Sequence, residues 1–345
     1  MPSRRKLAVI AAAGSHKTEF VVNEALASAD KRVLVTTYTT HNIRCIEQRI
    51  YSKVGHIPEH ITIMSWYSFL ANQWCRPYQR ALLGAPGIIR GVDFESNRFR
   101  MIRQSQARRY YTNRAGDLYK DWVADFATKV NEATDGAAVA RLEDIYDEIY
   151  IDELQDLVGY DLDVLDFLLA SEIGVVMVGD PRQHTYATNQ NMKNKRYRGA
   201  GILDWLTKRR AICELQTREV SYRCNQAICD FADALYPDLP STTSANTDTH
   251  DPSGIIMLTP DELAAHVASH RPVILRNSVT ANTLGFDAMN IGIAKGNTFD
   301  HVVIFPTEPM KTYLRDRNPA RLADGSRSRL YVAITRAKHS VAFVS

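Results

Sequence analysis

An α/β fold with mostly parallel sheets is predicted for this 345-residue chain by three observations. Short apolar runs alternate with helical segments, a Lys-Thr pair opens one such helix, and an acidic pair ends a later apolar run. The apolar runs read as strands at 7–12, 32–37, 61–64, 148–151 and 174–178. Between them, 17–29, 40–54 and 160–170 carry the apolar spacing of helices. The stretch 76–141 breaks this rhythm. It is rich in Arg and Tyr (Arg98, Arg100, Arg103, Arg108, Arg109, Tyr110, Tyr111) and reads as a helical insertion without strands. A second α/β series begins near Cys213, with a helix at 224–235 and strands at 254–258, 272–275, 301–305 and 340–344. The polar stretch 237–252 reads as a loop.

Composition bounds the function without naming it. The chain is 45% hydrophobic and 23% charged, with a net charge of +3 that neither demands nor excludes a polyanionic partner. No apolar run reaches the roughly 18–20 residues of a membrane span. Leu7–Ala13 follows a basic start but runs directly into a loop-and-helix pattern, so it is expected to be a strand and the protein cytoplasmic. The five cysteines are scattered, with no CxxC pair and no histidine at zinc spacing, and are expected to be free thiols.

Three motifs carry chemistry. First, Ala13-Gly14-Ser15-His16-Lys17-Thr18 lies between a strand and a helix. There, backbone N–H groups and a helix N-terminus can face phosphates, Lys17 can reach the β/γ oxygens, and the Thr18 hydroxyl can ligate Mg²⁺. A glycine usually precedes the lysine of such a loop. His16 takes its place, at a conformational cost. Second, the run Ile149-Tyr150-Ile151 ends in Asp152-Glu153, which suits a metal-holding carboxylate beside one that orients or deprotonates water. An acidic strand end is the plainer reading of that pair. Third, Gly174–Val178 ends in a turn with Gln183 at its tip. Ligands lie beyond the carboxyl ends of parallel strands, so Lys17, Asp152 and Gln183 are expected to converge on a nucleotide.

Taken in order, the motifs resemble those of the UvrD/Rep-like branch of superfamily 1 helicases. AAAGSHKT (Ala11–Thr18), VTTYTTHN (Val35–Asn42), SWYSF (Ser65–Phe69), DELQD (Asp152–Asp156), GDPRQHTY (Gly179–Tyr186) and YRGA (Tyr197–Ala200) follow the family's series. VSYRCNQAICDFA (Val220–Ala232), LRNS (Leu275–Ser278), AKGNTFDHVVI (Ala294–Ile304) and YVAITRAKHSVAFV (Tyr331–Val344) continue it. The resemblance implies two RecA-like P-loop NTPase lobes, 1–212 with the insertion at 76–141 and 213–345, clamping ATP between them. Gly14, Ser15, His16, Lys17 and Thr18 would hold the phosphates, and Thr18 with Asp152 the Mg²⁺. Glu153 would act on water, Gln183 would sense the γ-phosphate, and Arg223 and Arg336 would be arginine fingers. Tyr38, Trp66, Tyr67, Arg198 and Lys295 would contact a single strand of nucleic acid, with core packing the plain alternative for Trp66. For Arg103, Arg108 and Arg109, an extended basic track competes with a solvated helix face.

The chain also departs from the pattern. Ala12 and His16 replace usual glycines, no adenine-reading Gln precedes the first strand, and KGNTFD differs from the UvrD-like spelling of that motif. Residues 187–196 read as an insertion, and only 237–279 stands where larger relatives carry an accessory domain. The expected function is therefore that of a small, monomeric, ATP-dependent DNA helicase or single-stranded DNA translocase. A nucleic-acid clamp with a non-hydrolysing P-loop and an RNA-directed helicase are the alternatives. Loose base selectivity, with comparable use of ATP and GTP, is expected from the missing Gln.

Overall fold

A computed structural model describes residues 4–86, 89–98 and 101–345. Arg100 and Met1–Ser3 lie outside them. The chain separates into two compact units. One comprises Met1–Val9, Lys17–Gly179 and Tyr186–Gln216, the other Ile10–His16, Asp180–Thr185 and Thr217–Ser345.

The strands that begin in the first unit are β1 (Lys6–Ala11), β2 (Val33–Thr37), β3 (Ile61–Ser65), a short pair β4 (Val92–Asp93) and β5 (Leu118–Tyr119), then β6 (Glu148–Ile151), β7 (Gly174–Gly179) and β8 (Glu214–Arg218). Six of them form one sheet in the order β3-β2-β6-β7-β1-β8. The pairings of β2 with β3 and β6, and of β6 with β7, are parallel. Every residue of β2 and β7 is buried, as expected for a parallel sheet covered on both faces. That is why these segments read as unbroken apolar runs. Strand β8 escapes that reading because its sequence ELQTR is polar and mostly exposed.

The helices are closed by local chemistry. Thr40–Val54 starts where the Thr39 side chain accepts from the Asn42 N–H, and it ends at Gly55, whose φ of 81° only glycine adopts cheaply. The insertion contains the helix Val123–Ala133 and the start of the helix Ala137–Ile145, and it follows a π-helical turn at Phe69–Cys75. Contrary to the strand-free expectation, it also contains the parallel β4–β5 ladder. Two-residue strands are too short to show a period.

In the second unit, β9 (Val220–Ser221) pairs with β10 (Thr243–Ser244). The strands β11 (Gly254–Leu258), β12 (Val273–Arg276), β13 (Met289–Asn290), β14 (Phe299–Phe305) and β15 (Ala337–Val344) form an all-parallel sheet ordered β11-β15-β14-β12-β13. Along β14 and β15 the pleat alternates between two cores. Val302, Ile304, Val341 and Phe343 face one, and Val303, Phe305, Ala342 and Val344 the other. The first core receives Leu330, Val332 and Ile334 of the helix Asp324–Ile334. The second receives Leu263 of Pro260–His270, whose start is fixed by a Thr259–Glu262 capping box. The expected loop at 237–252 holds, apart from β10. All five cysteines are free. Among the described residues no helix is long and apolar enough to cross a membrane.

Candidate nucleotide and nucleic-acid sites

In the first unit, the helix Lys17–Ala27 begins at the lysine of the phosphate loop, and Asp152 directly follows the end of β6. The Thr18 hydroxyl donates to Asp152 Oδ2 at 2.8 Å, and the Glu153 N–H donates to Oδ1 at 2.9 Å. The carboxyl of Asp152 is buried and its pKa is pushed up to about 6. Lost solvation is the main cause and the adjacent Glu153 carboxylate adds to it, while the Thr18 bond and the Lys17 charge act the other way. Glu153 sits in the left-handed region at φ 61°, and the Gln155 amide donates to its carboxylate. A bulky residue holding that conformation stores local strain, a pattern that clusters at functional sites. Lys17, Thr18, Asp152 and Glu153 are thus brought together, as the motifs imply.

A hydroxyl and a carboxylate in contact are hard oxygen donors. They fit Mg²⁺, which binds through one or two such groups and keeps waters and phosphate oxygens for the rest. Among the described residues no cluster of three or more His, Cys, Asp or Glu side chains is arranged as a metal cage.

The second unit holds the remaining half of the phosphate loop, Gly14–His16. A Cβ on Gly14 would lie 2.6 Å from Ser221 Oγ and 2.7 Å from Arg223 Cβ, and its φ is 76°, so glycine is required there. The Ser15 hydroxyl donates to Ala12 O at 2.7 Å, and Gly14 O accepts from the Tyr222 N–H at 3.0 Å. His16 adopts φ 59°, the left-handed angle a glycine would take without strain. Its ring stacks on Tyr222 at 4.6 Å and 8°. That contact offsets part of the strain and is open only to an aromatic or planar side chain.

Gln183 and Arg336 meet in the same unit. The Arg336 guanidinium, 2% exposed, donates to Gln183 Oε1 at 3.3 Å and to the backbone oxygens of Val332 and Asn297. Gln183 in turn donates to Asp180 Oδ2 at 2.8 Å, and the Tyr331 hydroxyl donates to the same oxygen at 3.3 Å. Arg223 donates to Thr335 O at 2.9 Å, one residue from Arg336. Sequence reasoning missed the buried Arg182, which ties Asp180 to Asp233 at 3.2 and 2.7 Å. Its position inside GDPRQHTY, between Asp180 and Gln183, was the available signal.

The predicted strand-contacting residues divide. Tyr38 is partly exposed and lies 6.4 Å from the exposed ring of Tyr186. Arg198 is half-buried and donates to Asn191 O at 2.6 Å. Trp66 requires correction. Its ring is buried and its N–H donates to Asp161 Oδ1 at 2.7 Å, so no face remains for a base. Tyr67 is corrected likewise: it is buried, donates its hydroxyl to Thr188 O, and meets the edge of Phe94 at 5.1 Å. The ring open to a base beside it is Phe94, 59% exposed, which the motifs did not single out because it lies in the insertion. Lys295, after the short helix Ile291–Ala294, is largely buried rather than offered to a phosphate backbone.

Comparison with known families matches residues 100–345 to a model described as the viral superfamily 1 RNA helicase core domain. Two of the similar solved structures are of arterivirus nonstructural protein 10, a helicase. The protein alone aligns with TM-score 0.49 and 16% identity over 98% of this chain and 59% of that one. Its complex with DNA aligns with TM-score 0.52 and 15% identity over 98% and 61%. This chain therefore spans about three fifths of the length of those proteins, and at such identity the second alignment speaks to the fold alone. No curated protein matches.

Proposed function

We propose, from the premise that the chain belongs to the viral superfamily 1 RNA helicase core family, that it hydrolyses ATP with Mg²⁺ to move along a single strand of nucleic acid as a monomer. The observation that carries this reading is the contact of Thr18 with the buried Asp152, beside Lys17 and a strained Glu153. In the proposed mechanism the Lys17 ammonium binds the β/γ-phosphate oxygens, and Thr18 and Asp152 would hold a Mg²⁺ ion, whose charge would offset that of the phosphates. Glu153 orients the attacking water and accepts its proton. Gln183 senses the γ-phosphate. Arg336, helped by Arg223, would neutralise transition-state charge, an effect of about 10³–10⁵ in related enzymes. For Arg336 to do so, its guanidinium must exchange the Gln183 contact for phosphate oxygens. Tyr38, Tyr186 and Arg198 would hold the strand.

The DELQD and VSYRCNQAICDFA spellings support a UvrD/Rep-like affinity within the superfamily, and KGNTFD speaks against a close one. The family's description favours RNA as the strand, whereas the UvrD/Rep-like spelling favours DNA. Hydrolysis measured with matched DNA and RNA oligonucleotides, for the native chain and Lys17→Ala, tests the whole proposal. Strand-stimulated turnover abolished by Lys17→Ala is expected, and the better stimulator identifies the sugar. Tight strand binding without turnover in either protein would make this a clamp.

A further inference from the structure

The insertion of the first unit contains a cavity of about 430 Å³ that the motifs do not use. Four arginines line it (Arg90, Arg108, Arg109 and Arg114), with Thr112 and Asn113, and its lining includes no carboxylate. The guanidinium of Arg108 donates to Pro86 O at 2.5 Å. Those of Arg90, Arg109 and Arg114 have no hydrogen-bond or ion-pair partner among the described residues. Their backbone is nonetheless held in place. Arg90 N–H donates to Gly116 O at 3.0 Å, Leu118 N–H to Gly91 O at 3.0 Å, and Asn113 N–H to Asp117 O at 2.9 Å. Four exposed like charges gathered around one concavity repel each other, and an anion entering it relieves that repulsion. Guanidinium forks match phosphate oxygens in particular, and the cavity falls within the usual size range of small-ligand sites, about 300–1,000 Å³.

The neighbourhood points to the source of the phosphate. Asn113, on the cavity wall, donates to Asp93 Oδ2 at 2.8 Å. The residue after Asp93 is Phe94, whose ring is exposed and rests against Tyr67. Tyr119, also on the wall, lies in β5 opposite Asp93. An aromatic face for a base and an arginine cavity for a phosphate therefore stand on the same two-stranded ladder.

We propose that this cavity is a second phosphate-binding site, separate from the phosphate loop, and that it takes a phosphate of the nucleic-acid strand whose base stacks on Phe94. The assignment of the strand rests on the proposed function, whereas the phosphate chemistry does not. Arg103, in the same insertion but outside the cavity lining, serves as the control.

The test is anisotropy of a labelled single-stranded oligonucleotide against salt, with native protein, Arg109→Gln/Arg114→Gln, Phe94→Ala and Arg103→Gln. Strand-free ATP hydrolysis is the check on folding. Each phosphate contact contributes roughly 0.7 to the slope of log affinity against log salt for single strands. The double variant should therefore lose about 1.4 in slope and about tenfold in affinity. Phe94→Ala should lose about five- to tenfold in affinity with its slope kept, and Arg103→Gln should match the native protein. An unchanged slope in the double variant overturns the strand assignment. A second arm titrates tripolyphosphate by calorimetry in a Lys17→Ala background, with and without the double substitution. Binding that needs Arg109 and Arg114, with an unchanged strand slope, assigns the cavity to a free polyphosphate instead. No dependence in either arm overturns the site. If the native chain binds no strand and shows no stimulated hydrolysis, the proposed function fails, and the calorimetric arm alone decides the cavity.

Discussion

Replacing Asp152 by Asn is expected to stabilise the metal-free protein at pH 7.5 while removing hydrolysis. The carboxyl is buried and its pKa in the folded chain is about 6 against an ordinary 3.8, a difference of about two units, or about 3 kcal/mol at 1.36 kcal/mol per unit. The folded value is the higher one. The group's contribution to stability is thus fully present below pH 3.8 and is lost as the pH rises through 6, so at pH 7.5 the buried ion opposes folding. An amide of the same shape removes that charge. Its oxygen can still accept from the Glu153 N–H, and its NH₂ can donate to the Thr18 hydroxyl, so both contacts survive. Allowing for imperfect geometry, the gain is about 2 kcal/mol, which is roughly 4–8 °C for a unit of 150–250 residues. The assay is thermal unfolding in chelator at pH 7.5 and pH 5.5, then with Mg²⁺. The advantage of Asp152→Asn over the native protein in chelator should shrink from pH 7.5 to pH 5.5, and Mg²⁺ should raise the melting temperature of the native protein but not of the variant. An Asp152→Asn protein that melts below the native one in chelator at pH 7.5 would refute the reasoning. It would mean that Lys17 and Thr18 stabilise the carboxylate more than burial penalises it.

The His16–Tyr222 stack predicts a coupling of about 0.5–1.5 kcal/mol, measured by a double-mutant cycle of His16→Gly and Tyr222→Ala in chemical unfolding. His16→Gly alone should cost little, because relief of about 1 kcal/mol of left-handed strain opposes the lost stack. Trp66→Ala should cost about 3–5 kcal/mol of stability, whereas Tyr38→Ala should lower strand affinity roughly five- to tenfold with little change in melting temperature. Arg336→Ala should reduce kcat by about 10³ or more with a modest change in KM, read by steady-state hydrolysis. Burial and mutual repulsion depress the pKa values of His266, His301 and His339, which cluster with His250 and His270 near Asp300, Lys338 and Asp248. Their folded values lie below the unfolded value near 6.5, so stability should be full above that pH and fall as the pH drops from 6.5. Denaturant unfolding from pH 8 to pH 5 checks this, and a flat profile would contradict it.

What could be read from the sequence, and what could not, follows from the range of the interactions. Strands buried on both faces announce themselves as apolar runs, so β1, β2, β6, β7 and the central strands of the second sheet were legible. The polar edge strand β8 and the two-residue ladder of the insertion were not, because pairing with a distant partner rather than composition makes them strands. The contact of Thr18 with Asp152 was foreseeable, since a phosphate loop and an acidic strand end have few ways to share one parallel sheet. Motif position failed for Trp66 and Tyr67. It places a residue in the chain but not its ring in solvent, and rings as buried as those of Trp66 and Tyr67 leave no face for a base. It also could not supply Phe94 or the arginine cavity, which lie in the insertion where the motif series is silent. The substitution of His16 shows the same limit from the other side. The sequence exposes the cost of His at a left-handed position, but the compensating ring is Tyr222, some two hundred positions along the chain, and only the fold brings the two within 4.6 Å. A motif departure of this kind is evidence of lost function only when nothing elsewhere in the fold has taken up the strain, and here something has.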